Sequence, residues 1–367
     1  MEKEDKLFIL NLNKKNNFTS QQIDYISLCK IVSSFSVVIL HTNSVFWIFN
    51  KNNYKNYWIS ANYIESIFYF AVPIFILCIG ATLLDFNERY GLKKYYKKRI
   101  KKVVIPLISW SFLLYFYKVY LLKNLKKQKI TIIYIWNLYY QHKIYRIFES
   151  LHSFIILYMI IPLLAYVEKS NKIKVYSYCF ITLFLSQSFV PYLIRIFNLK
   201  IVWIYNINVG YLIYIFAGYI IQNYKFNKLQ KIIIYFLGIF GLLIHNFGTQ
   251  ILTLKYKKIK MLHKGYLNFP CVLYSCSLFK FIKDNSYFIF RFINKEFINK
   301  IGSLTLGPFF MHIPIKQFCL KFFGINKFKF SYRFFGGIFI CIICLIITFI
   351  LKKMPLFNVI CRGFIFI

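Results

Sequence analysis

Acidic residues are scarce: 11 Asp and Glu stand against 48 Lys and Arg among 367 residues, a formal net charge of +37. Several compact catalytic motifs are also missing. There is no Gly-rich phosphate loop, no His-Glu-x-x-His and no Gly-x-Ser-x-Gly. That removes a nucleotide-cradling loop, a helical zinc site and a serine-nucleophile elbow from consideration. No internal repeat relates two halves, and no stretch between apolar runs is long enough for a separate extramembrane domain. The first twenty residues are polar and mixed in charge, without the apolar core of a cleavable signal peptide. The first apolar segment is therefore expected to act as its own insertion signal, and any chemistry has to occur within the apolar part of the chain.

That part is most of it. Hydrophobic residues make up 59% and aromatics 22% of the sequence, and the chain breaks repeatedly into runs near the length of about 20 residues that a bilayer crossing needs. The expected fold is all-α, a polytopic membrane protein whose bundle holds about ten transmembrane helices. The spans are read near 24–47, 62–84, 103–122, 151–167, 174–194, 207–222, 230–248, 264–282, 299–320 and 334–351. A cytoplasmic tail (1–20) precedes the membrane domain (21–360), and a short tail (361–367) follows it. The apolar segment Thr131 to Tyr140 is too short to cross and is expected to lie at the interface or re-enter.

A basic excess of this size is the electrostatic footprint of nucleic-acid binding. In so apolar a chain, however, the lysines mostly flank spans, where they anchor helix ends and face lipid headgroups, and no nucleic-acid partner is expected. Between the second and third spans, Arg89, Lys93, Lys94, Lys97, Lys98, Arg99, Lys101 and Lys102 oppose only Asp85 and Glu88. Clustered basic residues mark the cytoplasmic side. With ten spans this places both termini in the cytoplasm. The nine cysteines are spread through apolar segments and read as small core residues. Cys341 and Cys344 form a Cys-x-x-Cys inside the last span, without the second pair a metal site would need, and no metal is expected.

One position stands out by its surroundings. His41 lies in the apolar run Ile31 to Phe49, and Lys30 precedes it by eleven residues. An ionisable group within a membrane-length helix is costly and points to function. At about 100° per residue, eleven steps amount to three turns plus about 20°, so Lys30 and His41 share one helix face, about 16 Å apart along the axis. The bland alternatives are a core histidine bonded to a neighbouring helix and a lysine snorkelling to the surface.

Several stretches, in order, resemble the integral-membrane acyltransferases of the acyltransferase 3 family. Asp24 to Lys30 running on to Val38-Ile-Leu-His41 is similar to that family's first span, where an arginine precedes a histidine; Lys30 takes the arginine position. Phe70-Ala-Val-Pro73-Ile-Phe75 with Ile79-Gly80 resembles the second span. Lys98-Arg99-Ile-Lys-Lys102 before Pro106 is similar to an Arg-x-x-Arg motif at the mouth of the third. Leu157-Tyr158 to Pro162, Tyr214 with Gly218-Tyr219, and Ser303 to Gly307 with Met311-His312-Ile-Pro314 resemble the fourth, sixth and ninth. Two departures are evident. Lysine replaces arginine at Lys30 and Lys102, keeping charge but losing the bidentate fork. The family's His-Leu-Trp-Phe is Ile147-Phe-Glu-Ser150 here, with His152 out of register.

The resemblance implies a bacterial-type inner-membrane O-acyltransferase. It would move an acyl group, acetyl in the first place, from acyl-coenzyme A on the cytoplasmic side to a hydroxyl of a cell-surface glycan or glycolipid. Many members carry an appended hydrolase-like domain; the few residues after the tenth span lead to the expectation of a form without one. The residue types suit the chemistry. His41 is the expected catalytic group, as general base or transient acyl carrier. Lys30, Arg99 and Lys102 are the expected contacts to the donor's phosphates, Arg99 and Lys102 being three apart on one α-helical face. Glu65 and His312 are candidates for contact with the acceptor. A transporter or flippase of lipid-linked sugar, or a glycan polymerase, is the alternative; the former would be expected to show repeats, the latter a long outer loop with arginines.

Overall fold

The computed structural model describes residues 24–121, 148–201 and 210–354, with Asn137 and Phe357. All regular structure among them is helical. In chain order the helices are α1 (Asp24–Thr42), α2 (Tyr54–Phe68) and α3 (Ala71–Leu83), α4 (Leu92–Tyr120) and α5 (Phe148–Ala165). There follow α6 (Lys172–Ile196), α7 (Leu212–Asn223), α8 (Lys228–Tyr256) and α9 (Phe269–Phe292). The last three are α10 (Lys295–Gly302), α11 (Leu306–Phe322) and α12 (Tyr332–Lys353). The tails 1–20 and 361–367 lie outside the described residues, as does the segment 131–140 except for Asn137.

Among the described residues, six helical stretches are long and apolar enough to cross a membrane: α1, the α2–α3 stretch, α4, α6, α8 and α12. The expected ten are not confirmed by length and composition, for identifiable reasons. The apolar parts of α5 and α7 are shorter than about 20 residues. Helix α9 has 24 residues but carries Lys280, Lys283, Asp284 and Arg291, and α11 has 17 with Lys316 within it.

The second span departs most from its expected limits. Its helix begins at Tyr54, eight residues before the apolar run starts, and the stretch reaches Glu88 with an irregularity at Tyr69–Phe70 and a 3-10 turn over its last residues, Phe86–Glu88. Pro73 explains the irregularity, since it offers no N–H to the carbonyl four residues earlier, that of Tyr69. The early start is held by buried aromatic packing, with Trp58 stacked on Phe46 at 5.7 Å and its indole N–H donating to Phe46 O at 2.8 Å.

The core is centred on α3 against α7. A Cβ at Gly80 would lie 2.0 Å from Ile215 O, and one at Gly218 would lie 2.2 Å from Leu77 O. Only glycine permits this approach, the small-residue packing that brings membrane helices together in the absence of a hydrophobic drive. Side-chain bonds sort the connections to two ends. At the basic end, Lys295 pairs with Asp24 at 2.6 Å and buried Lys172 with Asp85 at 2.7 Å, while Tyr25 Oη donates to Gln222 Oε1 at 2.5 Å. At the opposite end, Asn62 Nδ2 donates to Asn246 Oδ1 at 2.9 Å and Arg333 Nη2 to Ser60 Oγ at 2.7 Å. Helix α1 runs between these ends, and its 19 residues span about 28 Å at 1.5 Å per residue, close to a hydrocarbon core of about 30 Å.

Candidate active site

Lys30 and His41 lie on one unbroken helix, as their spacing requires. Lys30 is buried near the basic end, close enough to Arg99 for the two charges to repel. Arg99, from the first part of α4, is 4% exposed. Its guanidinium carbon lies 5.5 Å from the centre of the Tyr95 ring and 5.4 Å from that of Tyr158. Buried arginine is rare unless paired, yet Arg99 Nε and Nη2 are buried without a hydrogen-bond partner. Two aromatic faces stabilise the cation partially; the unused donors point to an anion.

The α-helical spacing that predicts a pairing of Arg99 with Lys102 does not run through this segment. A π-helical turn over Ile100–Val104 interrupts α4, and three-residue spacing no longer brings side chains to one α-helical face. Tyr95, Arg99 and Val103 turn inward, while Lys102 is half-buried. Lys30, from another helix, is also brought near Arg99.

At the far end of α1, the His41 ring packs against that of His312 from α11, centroids 4.8 Å apart and planes inclined by 46°. His312 is 1% exposed, and its Nδ1 is 2.6 Å from Pro308 O. A carbonyl only accepts, so Nδ1 carries the proton and donates, leaving Nε2 with a free lone pair in the neutral ring. That Nε2 is buried without a partner. Pro314 follows two residues later within α11, and its missing N–H frees a backbone acceptor in this turn. Lys316, two residues further, donates from Nζ to His41 O at 2.9 Å and closes the carbonyl end of α1. A cation at a helix C-terminus is favourable.

Beyond His41 the chain builds a buried polar network. Asn43 Nδ2 donates to Ala61 O at 2.8 Å and to Glu65 Oε2 at 3.3 Å. Arg333, 1% exposed, donates from Nη1 to Asn43 Oδ1 at 3.4 Å and to Tyr57 O at 3.1 Å. Lys264 donates from Nζ to Ser66 Oγ at 2.8 Å, and attracts Glu65 electrostatically. His245 lies against Tyr69, ring centroids 4.9 Å apart, with both ring nitrogens buried and unpartnered. Glu65 is thus buried in the last turn of α2, tied to the C-terminal end of α1. Arg333 and Lys264 escape a sequence reading because each directly flanks an apolar run, where a cation reads as an anchor. Their burial follows only from the packing of α2, α8 and α12 around the α1 terminus.

Cys341 and Cys344 are both buried, and no cluster of three or more His, Cys, Asp or Glu among the described residues has the arrangement to hold a metal. The profile described as an acyltransferase domain matches residues 23–351. The chain belongs to the acyltransferase 3 family. No curated protein and no solved structure matches it. This acyltransferase therefore carries its family region from the first described turn of α1 almost to the end of α12. Lys30, His41, Glu65, Arg99, Lys102 and His312 all fall within it. The sites at the two ends of α1 thus lie within the matched region.

Proposed function

We propose that this enzyme transfers an acyl group, acetyl in the first place, from acyl-coenzyme A to a hydroxyl of a cell-surface glycan or glycolipid. The donor's phosphates bind at the basic end, facing the cytoplasm with both termini. Its pantetheine arm follows α1, and the thioester reaches the imidazoles of His41 and His312. The observation that carries this reading is the pairing of buried cations with an imidazole pair at the two ends of one helix. Arg99 Nε and Nη2, buried and unpartnered, fit phosphate oxygens, to which guanidinium bonds in a fork. Lys30 and half-buried Lys102 add charge at that mouth.

The distance agrees with the ligand. Lys30 and His41 are about 16 Å apart along the axis, comparable with an extended pantetheine arm. His41 is half-buried and can be reached; His312 is deeper, with its proton fixed on Nδ1. In the direct form of the reaction, imidazole Nε2 takes the proton of the acceptor hydroxyl as the oxygen attacks the thioester carbonyl. The C–S bond then breaks, and the coenzyme A thiolate leaves and takes up a proton. General-base assistance of this kind is typically worth 10² to 10⁴ in rate. Lys316 holds the carbonyl end of α1 and so positions His41.

Sided vesicles test this reading. Inside-out vesicles bearing the enzyme, given radiolabelled acetyl-coenzyme A from outside, should incorporate label into saccharide or glycolipid, whereas sealed right-side-out vesicles should not. Equal labelling in both orientations, or label in neither fraction, contradicts the proposal.

A further inference from the structure

Beyond the far end of α1 a cavity of about 480 Å³ opens between the turn after α1, the start of α2 and the turn before α12. This is within the roughly 300–1,000 Å³ of small-molecule sites. Four asparagines, Asn50, Asn53, Asn56 and Asn326, are among the residues that line it. All four side chains are exposed, and each is fixed by one intramolecular bond. Asn50 Oδ1 accepts from Asn52 N–H at 2.9 Å, Asn326 Oδ1 accepts from Phe328 N–H at 2.9 Å, and Asn56 Nδ2 donates to Asn53 Oδ1 at 2.5 Å. A carboxamide has two donor hydrogens and an acceptor oxygen. Each fixed side chain therefore keeps capacity for a ligand and loses little freedom on binding. Aromatic rings complete the wall: Tyr57 and Phe328 meet edge to face at 4.9 Å, with Phe330 beside them.

The geometry points to a saccharide-binding site in this cavity. Planar amides pair with vicinal hydroxyls through a donor and an acceptor at once, and aromatic faces pack on the C–H faces of a sugar ring. A single cation, Lys329, lines the cavity, which suits a neutral or lightly acidic saccharide; a polyphosphate or an anionic lipid patch calls for several. The cavity is also joined to the chemistry. Arg333 donates both to Tyr57 O, at the cavity wall, and to Asn43 Oδ1, two residues beyond His41. A saccharide seated here presents a hydroxyl toward the imidazole end of α1. Its role as acceptor rests on the acyl-transfer reading; its binding does not.

The test is direct binding, with the full chain in nanodiscs and no acyl donor present. Chitotetraose, maltotetraose and tetragalacturonate serve as probes, read by saturation-transfer NMR and calorimetric titration. At least one should bind saturably. Its affinity should fall tenfold or more in Asn53→Ala/Asn326→Ala and in Phe328→Ala. A thermal melt accompanies each variant, and if Phe328→Ala melts early the asparagine pair decides. Saturable binding of none of the three, or undiminished binding by the asparagine pair, overturns the proposal. Binding without transfer to any saccharide would leave this site standing and remove the acyl-transfer reading. Transfer without binding would do the reverse.

Discussion

Replacing Arg99 with lysine isolates what the buried guanidinium contributes. The substitution keeps the charge beside Tyr95 and Tyr158 but removes the fork, leaving an ammonium on a flexible stem. Two guanidinium nitrogens, Nε and Nη2, are buried without partners and form the donor pair assigned to phosphate. A hydrogen bond to a charged group is worth about 1.5–3 kcal/mol net. Losing one of the two should therefore raise KM for acetyl-coenzyme A roughly 10- to 150-fold, with little change in kcat, because the bond is made in ground state and transition state alike. The decisive comparison is S-acetylpantetheine, which carries the same thioester and no phosphates. Wild type and Arg99→Lys should process it equally, at low efficiency. An equal penalty on both substrates would show that Arg99 supports the fold or the thioester end, and no penalty on either would remove it from the donor site; both outcomes refute the assignment.

Three further outcomes follow from the same geometry. His312→Phe should lower kcat about 10- to 1,000-fold while leaving KM for acetyl-coenzyme A within about threefold, because it removes the free Nε2 beside His41 and touches nothing at the basic end; steady-state kinetics on reconstituted enzyme measure both. Gly80→Val places side-chain atoms where Ile215 O already sits 2.0 Å from a Cβ, so α3 and α7 have to part. Overpacking of this kind costs typically 1–3 kcal/mol or more, and the detergent melting temperature should fall by several degrees, as it should for Gly218→Val. Lys172→Met leaves Asp85 without its 2.7 Å partner and Leu84 O without the 2.9 Å bond from Nζ. With Asp85 still partly solvated, a loss of about 1–3 kcal/mol is expected, largely restored by adding Asp85→Asn; a chemical-denaturation series on the two variants measures it.

Features that depend on nearest neighbours along the chain were legible in the sequence. Apolar length marks most helices, and one period of α1 places Lys30 and His41 on one face. The glycines quoted in the second and sixth spans prove to be partners, Gly80 against Ile215 and Gly218 against Leu77. Three things were not legible, each for a physical reason. The π-helical turn at Ile100–Val104 changes the angular spacing that any α-helical count assumes, and the approach of Lys30 to Arg99 joins two helices. The early start of α2 is set by Trp58 and Tyr57 packing on a turn after α1, which hydropathy scores as interface. The buried polar network joins Asn43 to Glu65 and to Arg333, 22 and 290 positions away. Such a cluster exists only once the helices have packed, and in a lysine-rich chain its two cations look like anchors. His312 was legible as a candidate, but its contact with His41 was not.

The proposed acyl transfer takes place at the imidazole end of α1. Its most direct test is the passage of isotope-labelled acetyl from acetyl-coenzyme A into glycan or glycolipid by membranes bearing wild type or His41→Ala at equal protein level. Label should appear with the wild type and fall at least 10²-fold in the variant. Undiminished labelling by His41→Ala, or no label with either protein across several acyl donors, would contradict it.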